Sequence, residues 1–505
     1  MKQFLFSLLF VLCLSAQDKK MNVLFIPIDD LKPVLSPYGY DFMKTPNIER
    51  LAERGIVFNN AHCQYAICGS SRISALTGLY IDNARVFSFA PKLRTILPHI
   101  VTLPQHFKNN GYNVTGIGKT FDKRTTDKHL DKVSWSIPYK EYIRCDNTYS
   151  NMKGGYRGEE IVEQTNSIYK KYSNDPNKIR NELKKAGLRP LTECEDYPDV
   201  AYSDGQKAIV GMQLLEKFSK DDKPFFLSIG FQKPHLPFVA PKKYWDLYDR
   251  DKIQLPSALR HDSIPSFAYG NMGELSSYSP KEEWPFSEEY KKEITHGYYA
   301  CVSFIDAQIG LLLDKLDELG IADNTVVCLW GDHGFHLGDQ KLWCKHSNFE
   351  EAVRSPLIIA APQAKDKGKS NFSPVGLIDM YPTLCDLAGL AMPNHLEGKS
   401  LRPILNDAKA SVKTVELAQY PRVINGKYAM GYTIRSQRYR YTAWKTMNYQ
   451  KGERSGPLVG EELYDYQSNE ADLINKVKSS EYKDTLALHR KLLEEKLQKI
   501  HSSQN

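Results

Sequence analysis

Four short apolar runs, each followed at once by polar residues, constrain the fold of this chain more than any other feature. The runs occupy residues 23–28, 114–117, 225–230 and 326–330. Uninterrupted apolar runs of this length are typical of parallel strands that are buried on both faces. The carboxyl ends of such strands share one edge of the sheet, and ligands of open α/β sheets bind at that edge. The polar residues that follow the runs are therefore expected to meet in one place.

Segments with helical patterns lie between these runs, at residues 203–218 and 288–319, and predict an α/β fold: a large, mainly parallel sheet sandwiched by helices. The pattern changes after about residue 400, where residues 430–435 and 439–444 alternate like antiparallel strands and a charged helix closes the chain. We predict a catalytic domain over residues 22–400. A smaller α+β C-terminal subdomain, with a short antiparallel sheet and a terminal helix, is expected over residues 401–505.

The N-terminal segment, residues 1–16, has the build of a secretory signal peptide. Lys2 precedes an apolar stretch over residues 4–14, and small residues follow at positions 15 and 16. The stretch is too short to span a membrane. We expect an exported protein, periplasmic or secreted, with no membrane span. Cys13 leaves a lipoprotein anchor as the alternative.

Composition restricts the partners and the cysteine chemistry. The formal net charge is +7 without a long block of Lys or Arg, which argues against nucleic acid and is compatible with mild attraction to anionic substrates. Of nine cysteines, eight remain after Cys13, and they contain no Cys-x-x-Cys pair, which disfavours structural zinc. Because export permits disulfides, Cys145 and Cys194, which flank a polar insertion, are the predicted pair.

Two strand ends carry residues that can bind a metal ion. Asp29 and Asp30 follow the first apolar run, and Asp332 and His333 follow the fourth. Either pair alone is compatible with simple capping of a helix or turn. Both together indicate one shared site for a divalent cation, and the excess of carboxylates over imidazole favours Ca²⁺ or Mg²⁺ over zinc.

Cys68 opens a segment of small polar residues, Cys68-Gly69-Ser70-Ser71-Arg72, ahead of a predicted helix. A lone cysteine is more often a buried small side chain than a nucleophile. Here the helix N-terminus would favour anions, so a nucleophilic role is the alternative.

Charged residues elsewhere in the chain suit the binding of an oxoanion. Arg72, Lys119 and Lys345 can neutralise a sulfate or phosphate group, and His235 can protonate a leaving alkoxide. An ordinary surface charge or a hydrogen-bonded histidine is the alternative for each of them.

Taken together, these residues resemble the type I sulfatases of the alkaline-phosphatase superfamily, and more narrowly the iduronate-2-sulfatase branch. The family signature Cys-x-Pro/Ala-Ser-Arg, followed at a fixed spacing by Thr-Gly, corresponds to residues 68–72 and to Thr77-Gly78. A second signature corresponds to Gly111-Tyr112 and Gly118-Lys119. The branch motifs correspond to residues 233–238, 332–334, 347–349, 419–422 and 430–435.

The resemblance implies a sulfuric ester hydrolase that removes O-sulfate from a uronate or deoxyhexose unit of a sulfated oligo- or polysaccharide outside the cell. It implies that a separate maturation enzyme converts Cys68 to Cα-formylglycine, whose hydrate attacks sulfur. One calcium ion would be bound by Asp29, Asp30, Asp332, His333 and the modified Cys68. Arg72 would steady the formylglycine, Lys119 and Lys345 would hold the sulfate, and His235 would be the general acid.

Two positions depart from the family pattern. Ser70 replaces the usual Pro or Ala, which bears on recognition by maturation enzymes. Asp122 stands where the branch has a histidine thought to assist the formylglycine, and the candidates for the missing base are His62, His129, His336 and His346.

Sugar contacts are expected from the insertion between Cys145 and Cys194, from residues 257–285 and from the C-terminal subdomain, with Arg422 and Lys445 as candidates. Two other functions stay open. One is a phosphodiesterase or phosphonate hydrolase of the same superfamily, and the other is a non-catalytic glycan-binding homologue.

Overall fold

The computed structural model describes residues 20–141, 148–149, 152, 155–173, 175–270, 273–468 and 473–502. The predicted signal peptide and Cys145 lie outside the described residues, so the pairing of Cys145 with Cys194 stays a prediction; Cys194 itself is exposed. Among the described residues, no helix combines the length and the apolar character needed to cross a membrane.

The strands in chain order are β1 (Asn22–Ile28), β2 (Ile56–Phe58), β3 (Ala61–His62), β4 (Asn113–Gly118), β5 (Thr192–Glu195), β6 (Phe225–Gly230), β7 (Phe238–Pro241), β8 (Thr325–Gly331), β9 (His336–Leu337), β10 (Trp343–Cys344), β11 (Leu357–Ala360), β12 (Lys369–Asn371), β13 (Val375–Gly376), β14 (Glu416–Ile424), β15 (Lys427–Arg435), β16 (Tyr439–Thr446) and β17 (Leu458–Asp465). Seven of them form the large sheet, in the order β12-β2-β11-β8-β1-β6-β4.

The four predicted strands are consecutive parallel neighbours in this sheet, in the order β8-β1-β6-β4, and β4 is an edge strand. Phe25 of β1 lies opposite Ser228 of β6 and Cys328 of β8, and β4 continues the sheet beyond β6. Every residue of β1, β6 and β8 is buried, as their continuous apolar runs predict. β11 is antiparallel to both of its neighbours. The predicted large, mainly parallel sheet is therefore confirmed, and the polar residues that follow these four parallel strands lie along one edge.

Helices cover both faces of the sheet. They are α1 (Pro46–Glu53), α2 (Cys68–Thr77), α3 (Ile81–Ala84), α4 (Leu93–Ile96), α5 (Leu103–Asn109), α6 (Glu159–Lys171), α7 (Pro176–Lys185), α8 (Ser203–Ser219), α9 (Lys242–Trp245), α10 (Glu288–Glu318), α11 (Glu350–Val353), α12 (Met380–Leu387), α13 (Arg402–Asn406) and α14 (Lys483–Ser502). Successive strand residues point to opposite faces. Val23 and Phe25 accordingly pack in one core with α2, α5 and α12, and Leu24 and Ile26 pack in another with α1, α8 and α10.

A second, antiparallel sheet follows in the order β14-β15-β16-β17. The antiparallel character was predicted, but the sheet is larger than the short one expected, because β14 was missed and the strands have eight or nine residues. β14 contains Pro421, which a sheet tolerates because β14 is an edge strand. Tyr432 and Leu463 of this sheet belong to the same buried core as α2, so the domain boundary at residue 400 stays a prediction.

Candidate active site

The end of β1 places two carboxylates at the shared edge of the sheet. Asp29 and Asp30 are fully buried, and Asp30 has a left-handed backbone (φ 61°). Its N–H donates to Asp332 Oδ1 at the end of β8 (3.0 Å), and its carbonyl accepts from the Tyr298 hydroxyl of α10 (2.8 Å). This turn brings together carboxylates that are some three hundred residues apart in the chain.

Cys68 is the first residue of α2 and faces this carboxylate cluster. Its Sγ lies 3.2 Å from His333 Nε2 and 3.6 Å from Asp30 Oδ1, and the residue is 1% exposed. Burial, together with the charge of Asp29, raises the pKa of the thiol well above its usual range. The unmodified side chain is thus a protonated thiol at neutral pH, which weakens the alternative of a thiolate nucleophile.

Arg72, one turn further along α2, joins the helix to three strand ends. Its Nε donates to Asp332 Oδ2 (2.9 Å), and its Nη2 donates to Asp29 Oδ1 (3.2 Å). Its Nη1 donates to the carbonyl oxygens of Lys119 and Thr120 beyond β4. Charge-assisted hydrogen bonds of this kind fix geometry strongly, so Arg72 sets the position of Cys68 relative to the carboxylates.

Two lysines flank the cluster. Lys119 Nζ lies 2.5 Å from Asp29 Oδ2, and Lys345 Nζ lies 2.8 Å from both carboxylate oxygens of Asp30. Burial raises the pKa of Asp29, but Lys119, His235 and Arg72 outweigh burial and hold that pKa well below its usual value. The site therefore keeps fixed cations beside the ionised carboxylate of Asp29.

His235 and Glu274 complete this edge of the site. Glu274 bridges the two neighbouring side chains, with Oε1 3.0 Å from His235 Nε2 and Oε2 2.7 Å from Lys345 Nζ. Burial acts to lower the pKa of His235, but Asp30 and the other nearby carboxylates hold it above its usual value. Sequence reasoning missed Glu274: it falls within the segment 257–285 expected to contact the sugar, but no motif marks it.

The donor atoms of the cluster fit a hard divalent cation. Asp29, Asp30, Cys68 and His235 offer atoms within 4.8 Å of one another, as do Cys68, Asp332 and His333. Burial, with the adjacent Asp29 and Asp30, raises the pKa of Asp332 despite His333 and Arg72. Carboxylates crowded in this way are stabilised by a cation, and a donor set rich in carboxylates suits calcium or magnesium.

A cavity of about 780 Å³, here named the Cys68 cavity, opens over the cluster and is lined by Cys68, Lys345 and Glu274 among others. Arg422 also lines it and donates to the carbonyl oxygens of His346 (2.8 Å) and Phe267 (2.9 Å). Lys445, the other predicted sugar contact, pairs instead with Glu494 of α14 and does not line this cavity.

Asp122, at the position of the missing histidine, is paired with Arg124 through two hydrogen bonds of 2.9 and 2.7 Å. Burial raises its pKa, but Arg124 and Lys119 outweigh burial and hold the pKa well below its usual value. Asp122 is therefore ionised, and it lies 3.8 Å from Lys119 Nζ.

Of the four histidines considered as replacements, His346 alone lines the Cys68 cavity. Burial, together with Lys345, lowers its pKa to about 4, so His346 is neutral at neutral pH. His62 is bonded to Asn60 and His336 to Ser347, away from this cavity.

The mainly parallel sheet, whose strand ends gather carboxylates, fixed cations and a helix-start cysteine, has the alkaline-phosphatase fold. Residues 21–390 match the family model described as Sulfatase, and residues 338–501 match the one described as N-sulphoglucosamine sulphohydrolase, C-terminal. The chain therefore belongs to the sulfatase family and is a sulfuric ester hydrolase.

Individual relatives agree with this assignment. The chain is 31% identical to iduronate 2-sulfatase of Mus musculus over 494 residues, which cover 85% of each protein. It is also 31% identical to a sulfatase of Formosa agariphila over 490 residues, covering 94% of this chain and 86% of the relative. The phosphonate monoester hydrolase of Silicibacter pomeroyi has the same fold, with a TM-score of 0.66 at 22% identity over 95% of this chain and 96% of that one.

Proposed function

We propose that this sulfatase removes O-sulfate from a uronate or deoxyhexose unit of an extracellular polysaccharide, using a formylglycine made from Cys68 and one calcium ion. The observation that supports the proposal best is the position of Cys68 Sγ, 3.2 Å from His333 and 3.6 Å from Asp30, between fixed cations. Sulfatases are generally formylglycine- and metal-dependent. The similarity to iduronate 2-sulfatase favours a sulfated sugar acid or a related sugar as the substrate.

The proposed ligands of the calcium ion are Asp29, Asp30, Asp332, His333 and the modified Cys68. A bound calcium ion would supply Lewis-acid polarisation of the sulfate ester and acidify a hydroxyl of the nucleophile. Arg72 would fix the position of the nucleophile relative to the carboxylates through its hydrogen bonds to Asp29 and Asp332.

Lys119 and Lys345 would bind the sulfate oxygens, where fixed positive charge stabilises the negative charge that grows in the transition state. His235 Nδ1 lies 2.7 Å from the Leu236 carbonyl oxygen and donates to it, which leaves Nε2 directed at the site. We assign to Nε2 the proton that the departing sugar oxygen needs.

The location and the maturation of the protein belong to the same proposal. Residues 1–16 are proposed to direct export to the periplasm or the exterior, where sulfated polysaccharides are available. A separate maturation enzyme would supply the oxidant that converts Cys68, because the side chains around Cys68 supply no oxidant.

Mass spectrometry tests the nucleophile. Trypsin releases residues 55–72 as one peptide, which contains both Cys63 and Cys68. After co-expression with a maturation enzyme, we expect Cys68 to lose its sulfur and become an aldehyde while Cys63 stays a thiol. Active protein in which both cysteines remain thiols would refute the formylglycine mechanism.

Chelation tests the metal. Removal of divalent ions with EGTA should abolish sulfate release, and added calcium should restore it. Full activity of the metal-free protein would exclude the calcium assignment.

A panel of sulfated mono- and oligosaccharides, with Cys68→Ala as the control, identifies the substrate class. The panel should include phosphodiesters and phosphonate monoesters, because the fold shared with the phosphonate hydrolase makes that activity the second candidate. In the part of the chain that the structure describes, both candidate metal groups share Cys68, which favours a single ion and a sulfate ester. Saccharide binding without hydrolysis by the matured protein would instead indicate a non-catalytic glycan-binding homologue.

A further inference from the structure

A second, smaller cavity of about 280 Å³ adjoins the Cys68 cavity on the side of His235. Lys119 and His235 line it, and it shares Arg124, Arg180, Glu274 and Ser277 with the Cys68 cavity. If His235 gives its proton to the departing oxygen, the sugar that carries this oxygen lies next to His235. The smaller cavity is therefore the space into which that sugar extends.

Most of the cations that line this cavity have a carboxylate partner. Lys119 pairs with Asp29, Arg124 with Asp122, Lys207 with Asp204, and Lys123 with Glu141. Arg180 and Arg189 differ: among the described residues, neither lies within ion-pair distance of a carboxylate. In the described part of the chain, the cavity wall thus carries two positive charges without a paired carboxylate.

Both arginines are held in place by the segment that carries Glu274. Arg180 Nη2 donates to Ser277 Oγ, and the Arg189 guanidinium lies 4.7 Å from the centre of the Tyr278 ring. Tyr278 in turn donates to the Leu236 carbonyl oxygen (2.9 Å), next to His235. The two guanidinium groups are therefore positioned relative to the proposed general acid.

Arg189 also retains unused hydrogen-bonding capacity. Its Nε is buried and has no hydrogen-bond partner in the described structure. A buried N–H group without a partner is costly, and the described residues leave this guanidinium short of hydrogen-bond partners. Arg189 lines the cavity, where its guanidinium can meet an anion. Guanidinium groups recognise carboxylates and sulfates through paired N–H donors.

We propose that Arg180 and Arg189 form a subsite for a second anionic group, a carboxylate or a second sulfate, on the sugar that loses its sulfate. This inference rests on the proposed function. It names a substrate class: sugars that carry one anionic group besides the sulfate to be removed.

Three sulfated sugars with the same sulfated position test the subsite: a neutral hexose monosulfate, the matching hexuronate monosulfate and the matching hexose disulfate. We expect the matured protein to have a kcat/KM about tenfold higher for at least one of the doubly anionic sugars than for the neutral one. Preference for the hexuronate identifies a carboxylate, and preference for the disulfate identifies a second sulfate.

The double variant Arg180→Gln/Arg189→Gln should lose this preference while its kcat/KM for the neutral sugar stays within about twofold. Lys185→Gln is the matched control, because Lys185 is an exposed cation on the same helix as Arg180 and does not line the cavity. Equal rates on all three sugars, or a preference that survives in the double variant, would overturn the subsite. Absence of sulfate release from every sugar would instead refute the proposed function, so the two failures are distinguishable.

Discussion

Two buried clusters of acidic and basic side chains differ in their surroundings: one borders a cavity, and the other is enclosed by hydrogen-bond donors of the chain. The first, the strand-end cluster of Asp29, Asp30 and Asp332, borders the Cys68 cavity through Cys68 and Lys345. The second, here named the scaffold cluster, consists of Asp379, Glu416 and Lys413. In both clusters burial and neighbouring carboxylates raise the pKa of one aspartate, Asp332 or Asp379.

The scaffold cluster is completed by donors of the chain itself. Lys413 Nζ lies 2.7 Å from Asp379 and 2.5 Å from Glu416, and the Tyr80 hydroxyl donates to Glu416 (2.9 Å). The backbone N–H groups of Gly376 and Lys399 donate to Asp379, each at 2.8 Å. In the strand-end cluster, by contrast, a thiol and an imidazole lie beside the carboxylates at the floor of a cavity. A closed network of this kind stabilises the fold, whereas an open one suits a ligand.

Replacement of Cys68 should give the largest effect on activity with little effect on stability, as expected for a cluster that serves catalysis. We expect Cys68→Ala to lower kcat/KM on the order of 10⁴-fold, because no other group replaces the nucleophile, while the thermal midpoint changes little. Cys63→Ala is the matched control, since Cys63 is an equally buried thiol five residues earlier. Retention of a tenth of the activity by Cys68→Ala would exclude Cys68 as the nucleophile.

The same substitution in each cluster should have opposite effects. Asp332→Asn is expected to lower activity on the order of 10³-fold and to abolish stabilisation by added calcium. Asp379→Asn should lower the free energy of unfolding by about 3 kcal/mol, because buried donors lose their acceptor, while activity per folded molecule stays the same. Enzyme assays and urea unfolding with and without calcium measure both effects. If Asp332→Asn lost stability but not activity, the strand-end cluster would have a structural role like that of the scaffold cluster, and no catalytic one.

Substitution of Glu274 tests whether the catalytic site includes this residue of the segment 257–285. Glu274→Gln keeps the shape but removes the charge that bonds to Lys345 and His235, and we expect kcat to fall about thirtyfold with a smaller change in KM. Glu274→Asp should recover part of the loss. Glu283→Gln, an exposed neighbour, is the control, and identical kinetics of the two glutamine variants would remove Glu274 from the site.

Acid should lower the stability of the fold through His62, which lies near the scaffold cluster. His62 lies beside this cluster, because Gln64 bonds to both the His62 carbonyl oxygen and Glu416 (3.2 Å each). Burial lowers the pKa of His62 to about 4, so in acid the unfolded chain takes up a proton near pH 6.5 before the folded chain does.

This difference costs about 2 kcal/mol of stability at pH 5 relative to pH 8, and the loss continues down to about pH 4. Urea unfolding of wild type and His62→Gln at both pH values measures it: the stability advantage of the wild type should shrink by that amount at pH 5. An advantage that is independent of pH would contradict the buried, neutral state of His62.

The strand-end cluster could be anticipated from the sequence because its information is local. Each of the four predicted strands is one apolar run, and polar residues follow it. The topology of a parallel sheet therefore brings Asp29, Lys119, His235 and Asp332 to one edge without knowledge of any long-range contact. The proximity of Cys68 to His333 required the family resemblance as well, because α2 lies outside the sheet.

The remaining features depend on how irregular segments pack. Glu274, Arg180 and Arg189 lie on or beside segments whose course no periodicity encodes, and their partners are distant in the sequence. β14 was missed because Pro421 interrupts the strand pattern, and Lys445 was chosen by charge alone although it pairs with Glu494.

The burial of α2 also bears on when the proposed modification of Cys68 takes place. Cys68 is 1% exposed, and Ser70, Ser71 and Arg72 are fully buried in the folded protein. An enzyme that modifies Cys68 has to reach the thiol, and the folded chain hides both the thiol and the side chains around it. Conversion of Cys68, as proposed, therefore has to precede folding. The yield of active protein then depends on whether the maturation enzyme converts Cys68 faster than the nascent chain folds around α2.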